Sequence, residues 1–406
     1  MRRVVITGVG GVSPLGRDVA ALVDGIEQGR SAVRYMEGWD RYKGLQSLVA
    51  APAELLDEKR IPRRKRRSMG RMSIFAVQAA EEVLADAGLD REELGGGRVG
   101  CIVGSTMGSA ESMNETFESM LPERDLGKLT SMKFFQCVSH TASMNVAHYL
   151  ELTGVVMATS AACASGLQAI GAGYDLIMSG RQDAVFCGGA EDLHPTVTGS
   201  FDILFATSTG YNDRPEETPR PFDKNRDGLV CGEGAGIVLL EEYERAVARG
   251  ARIYGEITGY HTCGSGVHVS QSNRQSMVQC MREALRQADT APDDIDYVNA
   301  HATATIHGDE EEAGAIREIF GDTVPVSSMK GYIGHTLGAS GALELILSLV
   351  MMRKGELYPT LNLEIVDPSC DGICHVTGKT AKTVNTVLKN SFAFGGINAV
   401  LVCRKV

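Results

Sequence analysis

Apolar residues recur along this chain with two alternating periods. Short, continuous, β-branched runs fall at Val4–Gly8, Val99–Gly104, Val155–Ser160, Asp183–Gly188, Gly236–Leu240 and Tyr297–Ala300. Their unbroken apolar character predicts strands buried on both faces. Between them, the runs Met72–Ala87, Leu167–Ser179, Ser276–Ala288 and Leu343–Met352 predict helices. Strands alternating with helices predict an α/β fold whose helices cover the sheets. A faint repeat divides the chain. Ala164-Ser165-Gly166 opens one predicted helix, which runs out at Gly180, and Ala339-Ser340-Gly341 opens another, which runs out at Gly355. Both offsets are 175 residues. Two halves are expected, 1–250 and 251–406, meeting near Gly250–Ala251 after the charged run Glu241–Arg249. The Pro- and charge-rich segment Tyr211–Asp227 reads as a long surface loop.

Composition narrows the function class. The net charge of −11 over 406 residues argues against a general nucleic-acid binder. Ten scattered cysteines form no dense framework and suit a reducing compartment, which makes the cytoplasm the expected location. Cys370 and Cys374 lack a second pair or histidines at metal spacing, so no zinc site is expected. No apolar stretch approaches the roughly 18 residues of a membrane span. The run Val4–Val9 is too short and Gly-rich for a secretory leader.

Four stretches could carry chemistry. Cys163 lies in Thr159-Ser160-Ala161-Ala162-Cys163-Ala164-Ser165-Gly166, between a predicted strand and a predicted helix. A helix N-terminus favours thiolate, so the thiol is expected below its usual pKa of about 8.5. Small neighbours leave room for a ligand. In Asn299-Ala300-His301-Ala302-Thr303-Ala304-Thr305 a histidine precedes two threonines at period-2 spacing, which puts all three on one face of an extended segment. In Ser328-Met329-Lys330-Gly331-Tyr332-Ile333-Gly334-His335 a Gly-flanked histidine precedes a helix, and Lys330 could hold a carboxylate such as Glu312. In Phe392-Ala393-Phe394-Gly395-Gly396 paired glycines allow a backbone N–H to turn toward a ligand oxygen. Each stretch alone also fits a structural role. Three other motifs fail. Gly8-Val9-Gly10-Gly11-Val12-Ser13 lacks the third glycine of a dinucleotide loop. Asp223-x-Asn225-x-Asp227-Gly228 has Gly234 where a calcium loop needs Glu. No G-x-S-x-G elbow occurs.

Taken together, these stretches resemble the β-ketoacyl-acyl-carrier-protein synthases, condensing enzymes of the thiolase superfamily. Also matching are Thr7–Gly16, Arg220-Pro221-Phe222-Asp223, Arg226-Asp227-Gly228 and Gly232-Glu233-Gly234-Ala235-Gly236. The resemblance covers essentially the whole chain. It implies a duplicated thiolase fold in five α-β-α-β-α layers. It also implies decarboxylative condensation of an acyl chain with malonyl-acyl-carrier protein, without metal or organic cofactor. By it, Cys163 is the acylated nucleophile and His301 and His335 are the histidine pair. Lys330 and Glu312 are the catalytic-region lysine and acid. Thr303 and Thr305 bind phosphopantetheine, and Phe394 is the gate whose backbone completes an oxyanion hole. Met107, Phe201 and Phe392 are expected along the acyl pocket.

The Cys–His–His set resembles elongating rather than initiating synthases. Ala302, Ala304 and Ile397 depart from the usual residues near the pantetheine channel, which bears on substrate preference. Arg67–Arg71, Phe201–Ser208 and Asn390–Asn398 resemble ketosynthases of aryl-polyene and related specialised clusters. The implied partner is an acidic acyl carrier protein, and the one dense basic run, Arg63–Arg67 with Arg71 beyond, is expected to dock it through Arg64, Arg67 and Arg71. A homodimer is implied, with a heterodimer beside a related subunit as the alternative. A non-catalytic partner subunit is disfavoured by the intact Cys163 and histidines. A coenzyme A-dependent thiolase is disfavoured because Phe394-Gly395-Gly396 stands where a second catalytic cysteine is expected.

Overall fold

The computed structural model describes residues 2–55 and 57–406. Eleven strands form one continuous sheet that folds into two leaves. The first leaf holds β1 (Val4–Val12), β2 (Val99–Gly104), β3 (Val156–Met157), β4 (Ala184–Glu191) and β5 (Gly234–Glu242). The second holds β6 (Gly255–Gly264), β7 (Tyr297–Asn299), β8 (Pro325–Ser327), β9 (Cys374–His375), β10 (Thr386–Ala393) and β11 (Ile397–Arg404). The order is β9-β8-β7-β10-β11-β6-β1-β5-β4-β2-β3. Counted from the centre, and leaving aside the edge strand β9, each leaf runs first, fifth, fourth, second, third in its own chain order. The pairings also agree: the inner two contacts of each leaf are antiparallel and the outer two parallel. The leaves join through Val4↔Ile257, Val5↔Glu256 and Ile6↔Gly255.

Helices α1 (Arg71–Asp86) and α2 (Thr141–Leu150) cover the outside of the first leaf. Helices α4 (Arg274–Gln287) and α5 (Ile306–Phe320) cover the outside of the second. Between the leaves lie α3 (Ser165–Met178) and α6 (Ser340–Lys354), each touching strands of both. This is the five-layer arrangement. Layer position follows from sequence. On α4 the buried residues Met277, Cys280, Met281, Ala284 and Leu285 keep helical spacing, so one stripe faces the sheet. On α6 apolar residues run all round, and Leu343, Leu345, Ile346, Leu347 and Leu349 are fully buried. Each such side chain contributes about 1.5–3 kcal/mol of burial.

The repeated Ala-Ser-Gly tripeptide marks where the central helices cross. A Cβ on Gly166 would lie 2.5 Å from the carbonyl oxygen of Gly338, and one on Gly341 would lie 2.9 Å from the nitrogen of Leu167. Glycine at both sites lets the two helix starts touch backbone to backbone.

Two sequence expectations need correction. Strand β3 is only Val156–Met157, and both side chains are exposed at the sheet edge, not buried on both faces. Tyr211–Asp227 is not a surface loop throughout, because Thr218 to Asp223 and Arg226 are buried. Its charges are consumed internally: Asp223 accepts from the backbone N–H groups of Asn225, Glu364 and Ile365 and pairs with Arg220. Arg226 pairs with Asp367 at 2.6 Å and lies 3.7 Å from Asp309. A charged segment can lie inside when every charge finds a partner.

Candidate active site

The chemistry-bearing residues stand at the carboxyl ends of strands, where open α/β sheets bind ligands. Cys163 follows β3 and precedes α3. His335 occupies the matching connection of the second leaf, between β8 and α6. His301 follows β7, and Phe394 sits in the turn between β10 and β11. Sγ of Cys163 and one ring nitrogen from each histidine lie within 4.8 Å of one another. The imidazoles meet edge to face, with centroids 5.2 Å apart. All three residues are buried at the base of a pocket of about 470 Å³, its mouth included. Thr303, Thr305, Glu312, Phe392 and Phe394 also line it.

Backbone geometry aims the nucleophile. Ala162 takes φ +47°, a left-handed turn just before Cys163. Ser165 Oγ accepts the Ala161 N–H at 2.8 Å and donates to the Ala162 carbonyl, which fixes the turn. The backbone N–H groups of Phe394 and of Cys163 itself lie near enough to the sulfur to favour its thiolate. Gly395 is not such a donor, since its N–H is spent on the Val269 carbonyl at 2.6 Å.

The expected low thiol pKa is overturned. Burial pushes the Cys163 thiol up to about 12, outweighing the Lys330 charge and the two N–H groups that favour thiolate. The helix-terminus field does not offset removal from water. His301 and His335 are held well below the usual histidine value, first by burial and then by the Lys330 charge. At neutral pH the resting trio is a thiol and two neutral imidazoles. Nδ1 of His301 and both ring nitrogens of His335 are buried without a protein partner, so they are free for a ligand. By distance the trio could hold a metal ion, which would have to displace the Cys163 thiol proton.

The acids and lysines are paired differently from the sequence expectation. Lys330 does not hold Glu312. Its Nζ donates to Glu344 Oε1 at 2.6 Å, and both side chains are fully buried. Glu312 accepts the backbone N–H groups of His301 at 2.8 Å and Ala302 at 2.6 Å, and the Asn390 amide at 3.0 Å. It shapes the His301 loop without an ion pair. Thr303 and Thr305 do share a face with His301, but not through an extended strand. Ala304 has φ +71°, and the two hydroxyls lie 3.0 Å apart across that turn. Gly334, at φ +64°, leads into His335. A Cβ there would press within 3.0 Å of Ala51 and of the Val230 carbonyl.

Three expected residues stand elsewhere. Met107 is exposed and does not line the pocket. Phe201 lies behind it, its ring 5.7 Å from that of Phe394 and packed with the Cys163 cluster. Arg71 is not free for a partner, since it forms a bidentate pair with buried Glu233 and donates to the Ala53 carbonyl. Arg64 and Arg67 are exposed. Sequence reading missed Glu191, Glu344 and Lys389. Glu191 accepts from the Thr106 backbone and hydroxyl and from the Gly338 N–H, and burial pushes its carboxyl up to about 8. Glu344 and Lys389 are each a lone charge inside an apolar run, and Glu191 opens the acidic pair Glu191-Asp192 that ends one; that is the available signal.

Comparison with known proteins identifies relatives over the whole chain. The family model described as Beta-ketoacyl synthase, N-terminal domain, matches residues 1–246, and that described as Beta-ketoacyl synthase, C-terminal domain, matches 254–364. The chain is 38% identical to 3-oxoacyl-[acyl-carrier-protein] synthase 1 of Escherichia coli (strain K12) over 100% of both proteins. A beta-ketoacyl synthase crystal structure from Burkholderia phymatum STM815 superposes with TM-score 0.96 at 45% identity, covering 100% of each chain. A ketosynthase structure in complex with its type II polyketide synthase acyl-carrier protein gives TM-score 0.91 at 31% identity, covering 100% of this chain and 99% of that one.

Proposed function

The chain belongs to the beta-ketoacyl synthase family, and on that premise we propose how its residues divide the work of the condensation. The enzyme is an acyltransferase that condenses an acyl chain with malonyl-acyl-carrier protein in fatty acid or polyketide synthesis. One observation carries the assignment of roles. A buried thiol, two partner-free neutral imidazoles and two nearby backbone N–H groups converge at one pocket base.

Cys163 Sγ attacks the acyl thioester on the carrier. A neutral imidazole beside it takes the thiol proton as the S–C bond forms and passes it to the pantetheine sulfur as the carrier thioester breaks, so the imidazole is neutral again. Malonyl-carrier protein then enters, with Thr303 and Thr305 along its pantetheine arm. Neutral His301 and His335 donate N–H bonds to its thioester carbonyl. A charged imidazolium would instead grip the malonyl carboxylate and oppose its loss. As CO2 leaves, the enolate forms and attacks the acyl-cysteine carbonyl. The resulting oxyanion lies against the N–H groups of Cys163 and Phe394. Collapse returns Cys163 and releases β-ketoacyl-carrier protein.

The acyl chain passes Phe394 toward the ring of Phe201 behind it, the two rings 5.7 Å apart and tilted by 57°, an aromatic pair that suits rigid, unsaturated chains of a specialised pathway. The exposed edge strand β3, with exposed Phe117 and Phe134 on the helices Ala110–Met120 and Ser131–Cys137, supports a homodimer through this edge. The acidic carrier docks at Arg64 and Arg67. Among the described residues no helix is long and apolar enough to cross a membrane, and ten free cysteines support a cytoplasmic location.

The test separates the half-reactions. His301→Ala is expected to keep acyl transfer from carrier to Cys163 and to lose CO2 release from malonyl-carrier protein by about 100-fold or more. Lost loading with intact CO2 release would reverse the roles.

A further inference from the structure

Two buried lysines share one carboxylate beside the histidine pair. Glu344 Oε1 binds Lys330, and its Oε2 lies 2.6 Å from Nζ of Lys389. All three side chains are fully buried. Lys330 with Glu344 alone would be a neutral pair. A second buried ammonium adds a positive charge beyond that pair, within the field of the buried Glu312 carboxyl, and interiors retain such charge only where it is bonded or used. Lys389 Nζ also donates to the carbonyl of Asn390, whose side-chain amide donates to Glu312 at 3.0 Å. Glu312 in turn holds the His301 and Ala302 N–H groups. On the other side, Lys330 opens the short helix Lys330–Ile333, which leads through Gly334 into His335. Lys389 is therefore the member common to both arms.

We propose that Lys389 is a positioning residue for the histidine pair: it joins the Glu312 arm of His301 to the Glu344–Lys330 arm of His335, and its charge serves decarboxylation rather than acyl loading. The proposal rests on the histidine roles assigned above. Its field points the same way. The Lys330 and Lys389 charges both oppose protonation of each imidazole, adding to the larger effect of burial. The other titratable groups around the imidazoles are Cys163 before α3, Cys231 bridged to His335, Glu191 on β4, Asp309 and Glu312 on α5, and Glu344 on α6. Lys389 reaches the network from β10 and does not line the pocket.

The experiment compares wild type with Lys389→Met, which keeps the stem volume and leaves Lys330–Glu344 neutral. Acyl loading from acyl-carrier protein and CO2 release from malonyl-carrier protein are measured separately from pH 5 to 8. Loading is expected within about twofold of wild type, and CO2 release about tenfold or more lower, as for loss of a preorganised charge. The acid limb of CO2 release is expected to move to higher pH, because removing a positive charge lets the imidazoles take protons more easily. Equal loss of both steps, or an unmoved acid limb, would make Lys389 a structural lysine and overturn the proposal. If Lys389→Met does not load, Lys389→Ser is read in its place, and failure of both to load overturns it as well. A wild type that loads acyl chains but releases no CO2 would instead remove the histidine roles, and the proposal with them.

Discussion

Glu312 accepts the backbone N–H of His301 at 2.8 Å, so the carboxylate steers this histidine through the main chain and not through the ring. Its other oxygen takes the Ala302 N–H at 2.6 Å. The loop is also held by the Ser328 hydroxyl on the Ala302 carbonyl and by the Ala304 N–H on Asp309. Glu312→Ala would leave both donors and the Asn390 amide buried without acceptors, at about 1–3 kcal/mol for each unsatisfied group. The variant is expected to melt several degrees lower and to lose CO2 release before acyl loading. Thermal melts with both half-reaction assays check this. Unchanged melting would mean the loop is held elsewhere.

The Cys163 thiol stays mostly protonated at mild alkaline pH. Burial holds its pKa at about 12, so the thiolate fraction grows with pH without saturating below that value. Iodoacetamide labelling, read at the Cys163 peptide by mass spectrometry, is expected to rise about tenfold per pH unit from 7 to 9 with no plateau. A plateau near pH 7 would show a stabilised thiolate and restore the helix-terminus expectation over the burial effect.

The basic run splits into two populations. Arg64 and Arg67 are exposed, whereas Lys65 is buried on the His148 carbonyl and Glu151, and the half-buried Arg71 is paired with Glu233. Arg64→Glu with Arg67→Glu is expected to raise KM for carrier-bound substrate about tenfold, with little change for a pantetheine mimic, and the difference should shrink in high salt. Arg71→Ala is expected to act on stability, because it strands the buried Glu233 carboxylate. Steady-state kinetics on both substrates, beside melting curves, distinguish the two groups. Equal KM effects on both substrates would remove the exposed pair from docking.

Much of this fold is legible in the sequence, and one exception has a clear physical cause. Apolar runs locate β2, β4, β5, β7 and the central helices, because two-sided burial demands continuous apolar residues. Strands β6, β10 and β11 escape that reading. β10 carries Lys389, Asn390 and Ser391, all fully buried, so its pattern is broken by the polar network it serves. The site is legible where chemistry needs unusual residues at fixed turns: Cys163 after a left-handed Ala162, and His335 after Gly334. Its support is not legible. Glu344 reads as a flaw in an apolar helix, Arg71 as part of a surface patch, and Lys330 as a partner for Glu312. Pairing is a property of three-dimensional distance, and spacing along the chain does not supply it. The thiol pKa was misjudged for a related reason, since desolvation depends on how deeply the turn is buried.

The central claim is that Cys163 carries the acyl chain while the rest of the pocket waits for malonate. Cys163→Ala removes only the sulfur from a site already lined by small residues, so the fold is expected to persist with near-wild-type melting. The decisive measurement is intact-protein mass spectrometry after incubation with a panel of acyl-carrier proteins. Wild type is expected to gain the mass of one acyl group, localised to the Cys163 peptide, and Cys163→Ala to gain none. An acyl adduct on the folded Cys163→Ala protein would contradict the account.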